Sequence, residues 1–249
     1  MASPKQWPDG LPKKVSHPTV SICTPTYNRR KFIPWLIQCI KDQTYPAERM
    51  EWLVYDDGSD KILDVIEPHM KTMNIRYFSA DSKQNVGVKR NRLNAEARGE
   101  IIVNMDDDDY YMPDRVAHAV QTLVAKKANI VGSSRNTLFF SDDASVWEVG
   151  PYWPNHATFG TMAYTKDYAK THLCDETVTY AEEVQFTNEY KEPLVQLDPL
   201  KVMLVMCHSE NTFNKAKLRI NPAPTIRKTT LKLKNFVRSA KQRDFYMTA

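Results

Sequence analysis

Gly99-Glu100-Ile101-Ile102-Val103-Asn104-Met105-Asp106-Asp107-Asp108-Asp109 joins a short apolar run to four consecutive aspartates. Ile101-Ile102-Val103 predicts a buried strand. The aspartates at its carboxyl end repel one another unless something positive sits among them. A divalent cation is the natural partner, because Mg²⁺ and Mn²⁺ take oxygen ligands and commonly bind one or two carboxylates plus phosphate oxygens. The plainer alternative is a solvated acidic turn ahead of the helix opened by Pro113, with Asp114 as a favourable N-terminal charge.

Reading outward, the same alternation recurs. Val20-Ser21-Ile22-Cys23 predicts a buried strand closed by Thr24-Pro25. Phe32, Leu36 and Ile40 repeat at helical spacing between Arg30 and Gln43, where Pro34 is tolerable near a first turn. Glu51 to Tyr55 predicts a second strand ending in the turn and cap signal Asp56-Asp57-Gly58-Ser59. Ile75 to Phe78 is a third strand, Asn85 to Ala97 a helix, and Asn129 to Gly132 a strand after the Pro113 helix, whose Val116, Val120, Leu123 and Val124 face inward. Such alternation predicts an α/β/α sandwich on a mixed, mostly parallel sheet. Ligands of such sheets sit at the carboxyl ends of strands. Asp56-Asp57 and the aspartate run both fall there, so both are expected on one cleft. Farther on, Leu138 to Phe140 and Val146 to Val149 flank Asp142-Asp143 as a hairpin.

The 249 residues suffice to bury a sizeable core, and no apolar run reaches the roughly 18 residues of a membrane span. Residues 1–18 are polar and proline-rich, without the apolar core of a signal peptide. Cys23, Cys39, Cys174 and Cys207 form no CxxC pair, so free buried thiols in a reducing compartment are expected, and the location is read as cytoplasmic. The net charge of +4 is uneven: residues 215–249 carry ten Lys/Arg against Asp244 alone, whereas residues 1–214 are net acidic. A nucleic-acid-coating surface is not what this distribution describes.

The acidic stretch, continued by Tyr111-Met112-Pro113-Asp114-Arg115, resembles the DxD region of family 2 glycosyltransferases. Pro25-Thr26-Tyr27-Asn28-Arg29, Asp56-Asp57-Gly58-Ser59 and Asn85-Val86-Gly87 leading to Lys89-Arg90-Asn91 match further motifs of that family in the same order. Together they cover roughly residues 19–120. The resemblance implies the GT-A fold over 19–214, with a nucleotide-binding half at 19–120 and an acceptor-binding half at 121–214; the charge pattern sets off a basic helical tail at 215–249. It also implies transfer, with inversion, of a sugar from a UDP- or TDP-type donor (GDP being the alternative) to a hydroxyl on a glycan, lipid-linked or protein-linked acceptor.

By the same resemblance Thr26, Tyr27 and Arg29 lie against the nucleoside, and Asp57, with Asp56 as the alternative, recognises the base. Arg90 sits near base or ribose, Asp106 contacts the ribose, and Asp108 holds Mn²⁺ or Mg²⁺. Asp109 either supports the metal ligand from behind or contacts the sugar. The leaving diphosphate concentrates negative charge that a cation offsets, and the acceptor hydroxyl needs a base. The family's acidic pair is matched by Glu182-Glu183, with Glu183 aligned to the base and Glu182 in reserve; the alternative is a pair that caps a helix. Gly160-Thr161-Met162-Ala163-Tyr164 resembles the strand lining the sugar pocket, and Asp175-Glu176 ahead of the acidic pair also fits. Trp153, His156 and Phe159 are read either as sugar-facing groups or as core, and His208 either as a metal or phosphate ligand or as a structural histidine.

The basic tail is either a solvated face or a helix, with Leu233, Phe236, Val237 and Ala240 on one side, that meets anionic lipid. Two rivals stand beside transfer. A sugar nucleotidyltransferase would want a glycine-rich basic loop after the first strand, which Pro25-Thr26-Tyr27-Asn28 is not. The other is a non-catalytic module that binds nucleotide sugar or glycan.

Overall fold

The computed structural model describes residues 17–211 and 213–248. The N-terminal extension therefore lies, up to residue 16, outside the described residues. The first half runs β1 (Val20–Thr26), α1 (Ile33–Lys41), β2 (Met50–Asp56), α2 (Leu63–Ile66), β3 (Ile75–Ser79), α3 (Val86–Glu96) and β4 (Ile101–Asn104). Then come β5 (Tyr110–Tyr111), α4 (Arg115–Lys126), β6 (Ile130–Gly132), β7 (Asn136–Phe140), β8 (Ser145–Val149), β9 (Ala163–Thr165) and α5 (Lys166–Thr171). The chain ends with α6 (Glu183–Phe186), β10 (Val195–Gln196), β11 (Met203–Cys207), β12 (Ile226–Lys228) and α7 (Ala240–Thr248).

The larger sheet has the order β10-β6-β9-β4-β1-β2-β3. Strands β4, β1, β2 and β3 are parallel, and β9 enters antiparallel between β4 and β6. The buried strands read as continuous apolar runs because both faces are covered. Ile22, Val54 and Val103 pack with Leu36 of α1 and Val116 of α4, whereas Cys23, Leu53 and Ile102 pack with Leu93 of α3 and Tyr168 of α5. This is the expected α/β/α arrangement. Since β9 comes from beyond residue 120, the two halves share one sheet.

The expected hairpin is present as antiparallel β7 and β8, with Leu138 opposite Trp147. It belongs to a second sheet of order β12-β8-β7-β11-β5. Because β5 follows β4 across the aspartates and β11 pairs with both β5 and β7, the acidic run lies where the two sheets meet.

The tail differs from its expectation. Leu233 to Asn235 forms one 3₁₀ turn and α7 begins only at Ala240. Leu233, Phe236 and Val237 are buried all the same, since their i, i+3, i+4 spacing serves one tight turn against the body as well as a helix. β12 joins the second sheet, and α7 buries Gln242 and Tyr246. Residues 215–248 are thus built onto the domain. No helix among the described residues is long and apolar enough to cross a membrane. All four cysteines are free and buried.

Candidate active site

A cleft of about 790 Å³ opens at the carboxyl ends of β1 and β4. Its first wall is the loop after β1. Asn28 takes the left-handed conformation (φ 54°), which asparagine adopts more readily than most residues. Its Oδ1 accepts from the Asp60 amide at 3.1 Å and from the Ser59 hydroxyl at 3.3 Å. The loop after β2 packs so closely that a Cβ at Gly58 would fall 2.6 Å from Asn28 Oδ1. The two motif loops therefore brace each other. Asp56 is the anchor of the second loop, accepting from the Gly58 and Ile62 amides and the Tyr77 hydroxyl.

The aspartates form the floor. Asp106 receives Arg90 Nη2 at 3.0 Å, and its amide donates to the Tyr111 hydroxyl. Asp109 accepts from the Met206 amide of β11 at 2.8 Å, which ties the cluster to the second sheet. Asp108 Oδ2 meets His208 Nε2 at 3.2 Å, Asn211 Nδ2 at 3.3 Å and Arg29 Nε at 3.8 Å. Burial and the neighbouring Asp108 charge push Asp107 up to about 8 and Asp109 well above the ordinary carboxylate range. Burial also works against ionisation of Asp108, but His208, Lys215 and Arg29 outweigh it and hold this carboxyl low. One aspartate is thereby kept ionised inside a cluster that resists full ionisation.

The opposite wall carries the acidic pair. Glu182 is buried and bound to Arg90 Nε at 2.6 Å, and the Arg90 guanidinium lies 4.1 Å from the Phe159 ring centroid. Asp106, Arg90 and Glu182 thus form a closed ionic chain stacked on Phe159. Glu183, the first residue of α6, lines the cleft and forms no salt bridge among the described residues. Burial, followed by the charge of Glu182, raises its carboxyl to about 7.

Residues 21–180 match the profile of Glycosyl transferase family 2. The chain belongs to this family. Its relatives include the poly(ribitol-phosphate) β-N-acetylglucosaminyltransferase TarS of Staphylococcus aureus, 28% identical over 175 residues. That match covers 66% of this chain and 30% of TarS, so the chain spans less than a third of that relative. Among solved structures, S. aureus TarS 1-349 in complex with UDP-GlcNAc superposes with a TM-score of 0.61 at 18% identity, covering 78% of this chain and 60% of that one. The mannosyltransferase PcManGT from Pyrobaculum calidifontis, in complex with GDP-Man and Mn²⁺, gives 0.63 at 17% identity, covering 83% and 62%. These likenesses establish the GT-A fold.

Within this family 2 cleft the structure brings together most of the residues expected there. Thr26, Tyr27, Arg29, Arg90, Asp106, Asp108, Asp109, Phe159, Glu182 and Glu183 all line it. His208 reaches it through Asp108. Three expectations need correction. Asp57 lies behind the wall, its oxygens taken by Lys89 Nζ at 2.9 Å and the Gln84 amide at 2.6 Å, so it acts on the cleft through those two residues. Trp153 and His156 sit outside the lining, in an aromatic cluster with Tyr152 and Tyr190. Burial holds His156 below its usual range. Their aromatic character was legible, but it served mutual packing, and the ring that does reach the cleft from this group is Tyr152.

Several lining residues were not singled out from sequence: Gln84, Lys83, Asn211, Lys215 and Tyr180. Lys89 carried no signal beyond its place in Lys89-Arg90-Asn91. For Lys215 the available signal was its place at the head of the basic tail, which concealed a role turned toward the acidic cluster.

The donor set suits a divalent cation with few protein ligands. Asp108 Oδ2 and His208 Nε2 lie 3.2 Å apart and would hold such an ion, which would supply positive charge at the acidic floor. The Glu210 amide approaches His208 Nδ1 at 3.3 Å and orients the ring. Among the described residues no three His, Cys, Asp or Glu side chains converge on a closed metal site. An open site completed by substrate oxygens is what these residues fit.

Proposed function

We propose that the chain moves a sugar, with inversion, from a nucleoside-diphosphate sugar to an acceptor hydroxyl. The observation that carries this reading is one cleft holding a buried acidic cluster ringed by Arg29, His208 and Lys215 opposite a carboxylate, Glu183, free of a cationic partner. Thr26, Tyr27 and Arg29 lie against the nucleoside, with Gln84 and Lys89 beside the base and Asp57 orienting both. Asp106, held by Arg90, meets the ribose. Asp108 and His208 would hold Mn²⁺ or Mg²⁺, whose chemistry is Lewis-acid neutralisation of the leaving diphosphate. Arg29 and Lys215 add fixed positive charge there, and Asp109 contacts the sugar. Glu183 takes the proton from the attacking hydroxyl, and a base near pH 7 suits that task. Glu182 is committed to Arg90, which leaves Glu183 as the base. A UDP- or TDP-type donor is favoured, with GDP the alternative; the relatives above have UDP-GlcNAc and GDP-Man in their complexes.

The test is a panel of nucleotide sugars with and without Mn²⁺, read by thermal shift and by donor turnover. A nucleoside diphosphate should raise the melting temperature only with the metal present. If none does so, the reading is wrong.

A further inference from the structure

Large aromatic rings leave water where they can, so several that stay half-exposed beside a cleft mark a surface with a partner. Tyr152, which lines the cleft, is 42% exposed and Trp153 is 51% exposed. Trp153 meets Tyr152, His156 and Tyr190 at centroid distances of 5.9, 5.2 and 5.8 Å and interplanar angles of 71°, 62° and 82°, so none of the three lies flat against it. The group is fastened to the body. The Tyr152 amide donates to Ser134 Oγ at 2.8 Å, and Gln196 Nε2 of β10 donates to the Pro154 and His156 carbonyls at 2.6 and 2.9 Å. Tyr190 is brought in by three consecutive left-handed residues, Asn188, Glu189 and Tyr190 (φ 50°, 56° and 59°), a turn that such residues adopt at a cost. It follows α6, and the charges of Glu183 and Glu182 add to burial in raising the Tyr190 hydroxyl, which sets this ring beside the acidic pair. Tyr180, 63% exposed, lines the cleft just ahead of that pair. An aromatic shelf therefore runs outward from the cleft on the side of Glu183.

We propose that the shelf is an outer acceptor subsite, holding further sugar units of a glycan chain whose attacking hydroxyl lies at Glu183. The proposal rests on the transfer reading above and names its acceptor class as an oligosaccharide. A pyranose has two C–H faces and a rim of hydroxyls. The exposed rings here are Trp and Tyr, which offer an apolar face and a hydrogen-bonding edge to match. Within the same cluster His156 Nδ1 is buried without a partner among the described residues, which a purely apolar patch would not contain. Where the shelf meets the cleft, Asn136 and Thr158 line it with amide and hydroxyl groups. A lipid chain would leave those polar edges without partners, and a nucleoside diphosphate would meet the carboxyls of Glu182 and Glu183.

The probes are cellotetraose, maltotetraose, xylotetraose and the tetramer of N-acetylglucosamine, each titrated beside its monomer by calorimetry onto the full chain with UDP and Mn²⁺. At least one tetramer should bind roughly tenfold or more tightly than its monomer. Trp153→Ala should remove that gain and Trp153→Phe should keep most of it, while the UDP-induced thermal shift persists in both. If Trp153→Ala fails to fold, Tyr152→Ala carries the same test. Tetramers that bind no better than their monomers, a gain that survives in the folded alanine variant, or a gain lost equally in Trp153→Phe would each overturn the proposal. Trp153-dependent binding to phosphatidylcholine vesicles in place of the tetramers would overturn it in favour of a lipid. Loss of the UDP shift in the unaltered chain would instead overturn the transfer reading.

Discussion

Glu182 and Glu183 are chemically identical neighbours with different fates. Arg90 binds the first, whereas burial and the charge of the first raise the second to about 7. Turnover should therefore rise with pH through about 7 and level off above it. Glu183→Gln should lower the transfer rate by roughly 10²–10⁴ while leaving the nucleotide-induced thermal shift in place; retained transfer would remove Glu183 as the base. The same shift sets a stability trend. A carboxyl raised from 4.5 to about 7 in the folded chain favours folding most below the lower value, and this contribution is lost as pH rises through the upper one. Glu183→Gln should thus match the parent in unfolding free energy at pH 4 and exceed it at pH 8.5 by roughly 1–3 kcal/mol, as read by urea unfolding. Asp108 is the corresponding residue of the floor. Asp108→Asn should abolish the Mn²⁺ dependence of the nucleotide thermal shift and leave the fold intact, since the side chain makes its contacts within the cleft.

At the scale of elements, α3 delivers the acidic pair. Asn91 accepts from the Cys174 amide and donates to the Cys174 carbonyl and Glu176, while Asn85 donates to the Glu176 carbonyl. A Cβ at Gly87 would fall 2.0 Å from the Asp175 carbonyl oxygen. The segment leading to Glu182 and Glu183 is thus docked onto the first two turns of α3. Gly87→Ala should displace it, cutting turnover by at least tenfold with a smaller effect on melting temperature. Parental rates from a folded Gly87→Ala variant would show that this docking does not position the pair. The asparagine-glycine motif was visible in sequence, but the partner it receives lies some 85 residues away.

Across the whole molecule, the C-terminal segment supports the site from behind. Phe245 of α7 packs on Phe32 and Trp35, and Phe32 in turn lies 4.8 Å from the His208 ring. Tyr246 is 1% exposed and meets Tyr110, next to the aspartates. Tyr246→Ala should cost about 3 kcal/mol, the usual range for removing a large buried ring, measurable by urea unfolding. A change under about 0.5 kcal/mol would mean that α7 is an appendage.

The order of strands and helices in the first half was legible because each apolar run is local, and both faces of a parallel sheet demand it. The four motifs were equally local, and three of them carry residues that line the cleft, Arg29, Arg90, Asp106 and Asp108, as the acidic pair carries Glu183. Pairing was not legible. Which glutamate Arg90 would bind, that Asp57 would be spent on Lys89 and Gln84, and that Trp153 and His156 would pack on each other depend on groups far apart in the chain. The sequence by itself determined the fold class and the chemistry available at the strand ends. Only the tertiary structure decided which carboxylate is neutralised and which stays free, because burial and the distance to a cation are properties of the folded chain.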